Sequence, residues 1–183
     1  MIPLSTLIRD MLHEIGEDVE REGLEETPQR AARAWLHWTQ GYGVKPKDVL
    51  KTFKDGGETY DEMILVKDIP FYSHCEHHLA PFFGTVDIGY IPNGKILGLS
   101  KFSRLVDIFA YRLQVQERLT EQIANALTEH LEPKGVAVSI RARHLCMESR
   151  GIQKQGSETV TNELQGVFRT DQSARLEFLT STR

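Results

Sequence analysis

The chain has 183 residues, enough for one well-packed core, and nothing in it requires a second domain. Hydrophobic residues make up 40% and charged residues 26% of the chain, as in ordinary globular proteins, and the formal net charge is −4. That charge argues against a nucleic-acid-binding protein, which normally carries a basic excess, and no apolar run is long enough to span a membrane. With two cysteines and no signal-peptide hydrophobic region, we expect a cytoplasmic protein with reduced thiols.

Two helices are predicted in the N-terminal part of the chain. Apolar residues recur at helical spacing from Leu4 to Val19 and form one stripe. Thr27-Pro28 is typical of an N-cap followed by proline in the first turn. The second helix continues through Trp35 and Trp38, which we interpret as packing residues, until Gly41 ends it.

Strands are predicted from residue 63 onward. Residues 63–66 are a short apolar run, and residues 83–91 alternate approximately between apolar and polar. The turn residues 92–94 predict a hairpin in which residues 95–99 return beside that strand. Ser100 is expected to cap a helix that extends through Phe109.

A further helix and a final strand follow. The helix begins near residues 114–117 and ends before Pro133, and residues 136–142 alternate as in a half-buried strand. If that strand stays extended to its end, His144 and Cys146 project to the same face about 6–7 Å apart. Cys75 and His78 must then reach them from a loop after the first strand.

The two cysteines each lie within three residues of a histidine, and thiolate together with imidazole is a ligand set that Zn²⁺ prefers. Cys75, His78 and Cys146 predict a three-ligand site with an open fourth position. If His144 is a fourth ligand, the site is closed and only stabilises the fold. Spacing leaves both interpretations open, and a Cys75–Cys146 disulfide is a third.

Several longer motifs resemble the GTP cyclohydrolase I family. They cover residues 27–168 in one consistent order: residues 73–82 (SHCEHHLAPF), 98–104 (GLSKFSR), 112–120 (RLQVQERLT), 144–147 (HLCM), 150–151 (RG) and 159–161 (TVT). This family converts GTP to 7,8-dihydroneopterin triphosphate and formate, the entry to folate and other pterin pathways. Together these motifs are far more specific than a single Cys-x-x-His.

The resemblance implies a role for each residue of the cluster. It places the zinc ligands at Cys75, His78 and Cys146, and the acid–base histidines at His77 and His144, which favours the open site. Zinc lowers the pKa of a bound water to about 7, giving a hydroxide that attacks C8 of the purine before formate is released. Histidine is suited to the proton transfers that accompany ring opening and closure.

The resemblance also implies the residues that bind GTP. A carboxylate at Glu117 accepts hydrogen bonds from the N1–H and amino group of guanine, a pair of donors that adenine lacks. The remaining implied contacts are Gln116 near the base, Ser100, and the triphosphate cations Lys101, Arg104 and Arg150. Without the resemblance, Glu117 would be interpreted as a first-turn glutamate that the helix dipole favours.

The fold that the resemblance implies is α+β, the tunnelling fold, over residues 1–183 as one domain. An N-terminal helical part (1–43) precedes a catalytic core (62–168) with an antiparallel sheet and two helices on one face. Subunit sheets join into a barrel, and two pentamers form a toroidal decamer with active sites at subunit interfaces.

The chain departs from the family pattern at two positions. Tyr111 stands where the family commonly has arginine, and Asn162 stands where it commonly has serine. Neither residue is an implied metal ligand or acid–base group, so subunit contacts or substrate positioning are affected rather than the reaction. The alternatives to an enzyme are a catalytically silent guanine-nucleotide-binding module and a zinc-stabilised structural protein.

Overall fold

The computed structural model describes residues 1–183, which form two units, residues 1–40 and residues 41–183. The helices are α1 (Leu4–Glu14), α2 (Thr27–Trp38), α3 (Pro46–Val49), α4 (Ser100–Ala110), α5 (Gln116–Leu131), α6 (Leu145–Glu148), α7 (Val167–Thr170) and α8 (Gln172–Ser181), with a 3₁₀ turn at Gln40–Gly43. The strands are β1 (Thr52–Phe53), β2 (Ile64–Cys75), β3 (Pro81–Ile91), β4 (Ile96–Leu97), β5 (Leu113–Gln114), β6 (Gly135–His144) and β7 (Thr159–Gly166). None of the helices is long and apolar enough to cross a membrane.

The first unit contains the two predicted helices, but α1 is shorter than the apolar pattern predicted. It ends at Glu14 and not near Val19, because Gly16 takes a left-handed conformation with φ of +85° that stops the helix. Helix α2 begins at Thr27, which is therefore its first residue and not its cap. Near its end, Trp35 and Trp38 pack edge to face with ring centroids 5.5 Å apart.

The second unit is built on a five-stranded sheet with the order β5-β2-β3-β6-β7. Every neighbouring pair is antiparallel except β2 and β5, which are parallel. The predicted hairpin partner of β3 was wrong, because β4 pairs with β1 in a separate two-stranded sheet. Residues 95–97 stay near β3 through another contact, since the backbone N–H of Leu97 donates to the hydroxyl of Tyr90 at 3.1 Å.

Helices α4 and α5 pack on one face of the sheet, as predicted. Their apolar residues, among them Phe102, Leu119 and Ile123, are fully buried against β3 and β6 in the main core. A second, smaller hydrophobic core contains Ala137, Leu164, Phe168 and Phe178. Phe178 belongs to α8. The predictions did not include α8, whose residues show little amphipathic pattern.

The ends of three strands meet where the predicted metal-binding motifs lie. Phe82 at the start of β3 pairs with His144 at the end of β6, and Cys75 at the end of β2 pairs with Gln114 of β5. Because α5 begins directly after β5, its first residue, Gln116, lies close to the same end of the sheet. Backbone pairing over long sequence separations therefore assembles residues from four segments.

Candidate metal centre and active site

Cys75 and His78 lie on one tight turn after β2. The N–H of Cys75 donates to the carbonyl of Ala80, and the N–H of Leu79 donates to the carbonyl of Cys75, both at 2.8 Å. Leu79 closes the turn in the left-handed region with φ of +55°, which is unusual for a residue with a branched side chain. The turn holds the Sγ of Cys75 3.8 Å from the Nδ1 of His78.

Cys146 reaches the site from a helical turn, so the prediction of an extended strand through this residue was wrong. Strand β6 ends at His144, and residues Leu145–Glu148 form the short helix α6. The buried carboxylate of Glu148 accepts two hydrogen bonds from Arg143, at 2.9 and 2.6 Å, which fix α6 to the end of β6. Arg143 also holds the pKa of Glu148 below its usual value.

The potential ligand atoms of Cys75, His78 and Cys146 all lie within 4.8 Å of one another, and we call these three residues the triad. Both cysteines are free thiols. Burial raises the pKa of Cys146, and the neighbouring Cys75 raises it further, whereas the charge of Arg150 acts in the opposite direction. A bound cation would stabilise the thiolate form of both cysteines.

His144 lies beside the triad but is not part of it. Its Nε2 is 2.8 Å from the Oε1 of Gln116, and its ring stacks on Phe82 with centroids 4.7 Å apart and planes only 3° from parallel. Burial lowers the pKa of His144, and the carboxylate of Glu117 partly opposes that effect. Gln116 therefore contacts one edge of the imidazole ring and Phe82 contacts one face, and neither residue belongs to the triad.

His77 is the more exposed of the two predicted acid–base histidines. Its Nδ1 lies 3.9 Å from the Sγ of Cys75, and its Nε2 lies 3.9 Å from a carboxylate oxygen of Glu76. Glu76 in turn accepts two hydrogen bonds from Arg118, at 2.5 and 3.1 Å. This bidentate pair, which sequence reasoning missed, connects the triad loop to α5, and its partners are separated by 42 residues.

An open pocket of about 510 Å³ adjoins the first turns of α5. The residues lining it are Val115, Glu117, Arg118, Thr120, Glu121, Thr161, Asn162 and Glu163. The predicted guanine-binding carboxylate, Glu117, is exposed in this pocket, and the departure at Asn162 lies in the same lining.

Some of the predicted substrate residues do not line the pocket that contains Glu117. Ser100, Lys101 and Arg104 lie on the first turns of α4, and no hydrogen bond or ion pair connects their side chains to the triad or to Glu117. Arg150 is close enough to Cys146 to affect its pKa. Ser100 is also the first residue of α4 and provides no side-chain cap, contrary to the prediction.

Gln116 differs from the other predicted substrate residues because it is buried. Only 1% of its surface is exposed, and its amide contacts His144, two backbone carbonyls and Thr161. Glu117, the next residue, is exposed in the pocket, since consecutive positions on a helix point in different directions. The predicted contact between Gln116 and the base stays a prediction, whereas its contact with His144 is a feature of this chain.

Fold and site together define a class: an α+β protein with a Cys-His-Cys group able to hold a metal ion beside two further histidines. The family model described as GTP cyclohydrolase I matches residues 4–183. The chain therefore belongs to the GTP cyclohydrolase I family, which confirms the resemblance carried by the motifs.

Curated relatives agree along almost the whole chain. GTP cyclohydrolase 1 of Nitrosospira multiformis is 61% identical over 92% of this chain and 88% of its own length. GTP cyclohydrolase 1 of Janthinobacterium is 61% identical over 96% of this chain and 88% of its own length. The rat protein of the same name is 53% identical over 98% of this chain and 74% of its own length. Among solved structures, the archaeosine synthase QueF-like protein in its apo form is 21% identical, with a TM-score of 0.46 over 57% of this chain and 93% of that chain.

Proposed function

We propose that this chain catalyses the conversion of GTP to 7,8-dihydroneopterin triphosphate and formate, the reaction that its resemblance to the GTP cyclohydrolase I family implies. The observation that carries the proposal is the separation of the histidines into two groups. His78 is one of three potential ligands within 4.8 Å of one another, whereas His77 and His144 are not in that set. A closed structural site would have used His144 as its fourth ligand.

The triad fits zinc. Two thiolates and an imidazole favour this ion over hard cations such as Mg²⁺. In a tetrahedral zinc site a sulfur and a nitrogen ligand are roughly 3.6 Å apart, close to the 3.8 Å between the Sγ of Cys75 and the Nδ1 of His78. When bound, the ion acts as a Lewis acid and lowers the pKa of a coordinated water to about 7.

The chain's own residues supply recognition and proton transfer. Glu117 accepts hydrogen bonds from the N1–H and amino group of guanine in the open pocket, where its carboxylate is free of any ion pair within the chain. His77 and His144 give and receive the protons that ring opening and reclosure require. Ser100 contacts the substrate, and Lys101, Arg104 and Arg150 bind the triphosphate.

We further propose that the active site is completed by neighbouring subunits in a homo-oligomer, a toroidal decamer of two pentamers with the tunnelling fold. Lys101 and Arg104 at the start of α4 form no hydrogen bond or ion pair with Glu117 and do not line its pocket, which supports a composite site. The sheet has free edges at β7 and along most of β2, and such edges pair readily with another strand.

Residues 1–183 form one functional domain, with residues 1–43 as its helical part and residues 62–168 as its catalytic core. The protein acts in the cytoplasm.

The reaction is tested by incubating the purified, zinc-loaded protein with GTP. We expect formate release and, after oxidation, a fluorescent pterin, both lost in Cys146→Ser, His77→Ala and His144→Ala. A protein that binds GTP without releasing formate would be the silent binding module instead. Light scattering tests the assembly, since a stable and active monomer would contradict the composite site.

A further inference from the structure

The side chain of Gln116 is completely enclosed at the start of α5, where it bridges β6, β7 and His144. Its Nε2 lies 3.1 Å from the carbonyl of Ile140 and 3.0 Å from the carbonyl of Thr159. The same nitrogen lies 3.1 Å from the Oγ1 of Thr161, and its Oε1 lies 2.8 Å from the Nε2 of His144. A buried amide with partners on both its nitrogen and its oxygen has one orientation that suits them, in which the two hydrogens of the NH₂ group are shared among three acceptors.

The two carbonyls determine that orientation. A backbone carbonyl can only accept a hydrogen bond, so the group that faces Ile140 and Thr159 must be the amide NH₂ of Gln116. Turning the amide over would place its oxygen against two other oxygens and leave buried acceptors without donors. The oxygen of Gln116 therefore faces His144.

The neighbouring hydroxyls agree with this orientation. The hydroxyl of Thr120 donates to the backbone carbonyl of Gln116 at 2.7 Å, which uses its only hydrogen. Thr161, whose Oγ1 is 2.7 Å from that of Thr120, must then donate to Thr120. The Oγ1 of Thr161 is left as an acceptor, as the NH₂ group of Gln116 requires.

Because an amide oxygen can only accept, the Nε2 of His144 must carry the hydrogen in their 2.8 Å bond. We propose that Gln116 is a positioning residue that fixes His144 as its Nε2–H tautomer, so that Nδ1 is the nitrogen that exchanges protons with substrate. This inference rests on the proposed role of His144 as an acid–base group. Phe82 contributes by stacking on the ring, which keeps the ring plane fixed while Gln116 fixes its edge.

The arrangement serves both protonation states of His144. In the neutral ring Nδ1 has a free lone pair that can accept a proton, and in the cation both nitrogens carry hydrogen. The bond from Nε2 to Gln116 is the same in both states, so proton exchange at Nδ1 requires no rotation of either side chain. A carboxylate at position 116 would lack the hydrogens that Ile140 and Thr159 accept.

The tautomer can be measured directly by nitrogen NMR of the zinc-loaded protein with ¹⁵N-labelled histidine rings. The His144 signals are assigned by their absence in His144→Asn. We expect a protonated Nε2, with a hydrogen protected from exchange with water, and an Nδ1 without hydrogen. A wild-type spectrum in which Nδ1 carries the hydrogen and Nε2 does not would overturn the proposal, whatever the enzyme's activity.

The variant that isolates Gln116 is Gln116→Met, which keeps the length of the side chain and removes its polar atoms. We expect it to lose the protected Nε2–H and to populate both tautomers of His144. The matched control is Gln114→Met, which removes another amide that is 1% exposed but contacts Phe109 and Gln122 instead of His144. The control should retain the wild-type His144 signals, and identical changes in both variants would overturn the specific role of Gln116.

Kinetics distinguish positioning from substrate binding. Loss of a residue that orients an acid–base group should lower kcat roughly 10- to 100-fold and leave KM for GTP unchanged. A residue that contacts guanine should raise KM instead, and that result would contradict the positioning role. If the wild type released no formate, the proposed function would fail, while the NMR measurement would still decide the tautomer.

Discussion

The number of zinc ligands decides between a catalytic and a structural metal site, and it can be tested by removing one residue at a time. Cys146→Ser replaces a thiol of the triad by a hydroxyl that ionises far less readily, so zinc affinity should fall steeply. His144→Asn is the matched comparison, because it removes a histidine only two residues away whose Nε2 is bonded to Gln116. If three residues bind zinc, the first variant should lose the metal and the second should keep it.

The size of the effect follows from linkage between metal binding and folding. Free zinc at 100 times its Kd stabilises the native state by about 2.7 kcal/mol, provided that the unfolded chain does not bind it. For a chain of 183 residues, at roughly 2–4 °C per kcal/mol, this corresponds to a rise in Tm of about 5–11 °C. Wild type and His144→Asn should both show the rise, whereas Cys146→Ser should not.

The assay combines zinc analysis after dialysis with thermal unfolding in buffered zinc and in chelator. Protomer concentration is held constant, since oligomer stability depends on it. X-ray absorption of the wild type should show two sulfur ligands, one nitrogen and one oxygen. Equal loss of zinc in His144→Asn and Cys146→Ser, or a spectrum with two nitrogens and no oxygen, would refute the open site and leave a structural one.

Three further predictions concern the framework around the site. Arg141→Met should cost about 3–5 kcal/mol in urea unfolding, because it removes the cation paired with the carboxylate of Asp87, which is 1% exposed and 3.0 Å from Arg141. Asp87→Asn should cost less, and the reverse order would contradict this account. Leu79 has a left-handed backbone conformation, which glycine adopts more easily than alanine. The free energy of unfolding of Leu79→Gly should therefore be about 1 kcal/mol higher than that of Leu79→Ala, whereas glycine is usually the more destabilising of the two. Burial raises the pKa of Asp107, so the stability of the wild type relative to Asp107→Asn should fall as pH rises through that raised pKa. Urea titrations at several pH values measure this difference in stability. A difference that is the same at acidic and neutral pH would contradict the prediction.

Local patterns predicted the elements that position the site, and long-range pairing accounts for the errors. The alternation after Pro133 corresponds to β6, and the helix after Val115 corresponds to α5, because both follow from a periodicity within one segment. The pairing of β4 with β1 was missed because each strand has only two residues, too few to show a period. The bonds from Gln116 to His144 and from Arg118 to Glu76 cross 28 and 42 residues, and no local pattern specifies such partners.

The choice between three and four ligands was open at the level of sequence because it depends on where one strand ends. In an extended strand, residues two apart lie on the same face, so His144 and Cys146 would have faced the same metal. The strand ends at His144, and the helical turn of α6 redirects the next residues. Cys146 then joins Cys75 and His78, while His144 stays on the sheet, stacked on Phe82 and bonded to Gln116. A change of backbone conformation at one residue therefore separates the side chain proposed to bind metal from the side chain proposed to transfer protons, within a motif of three residues.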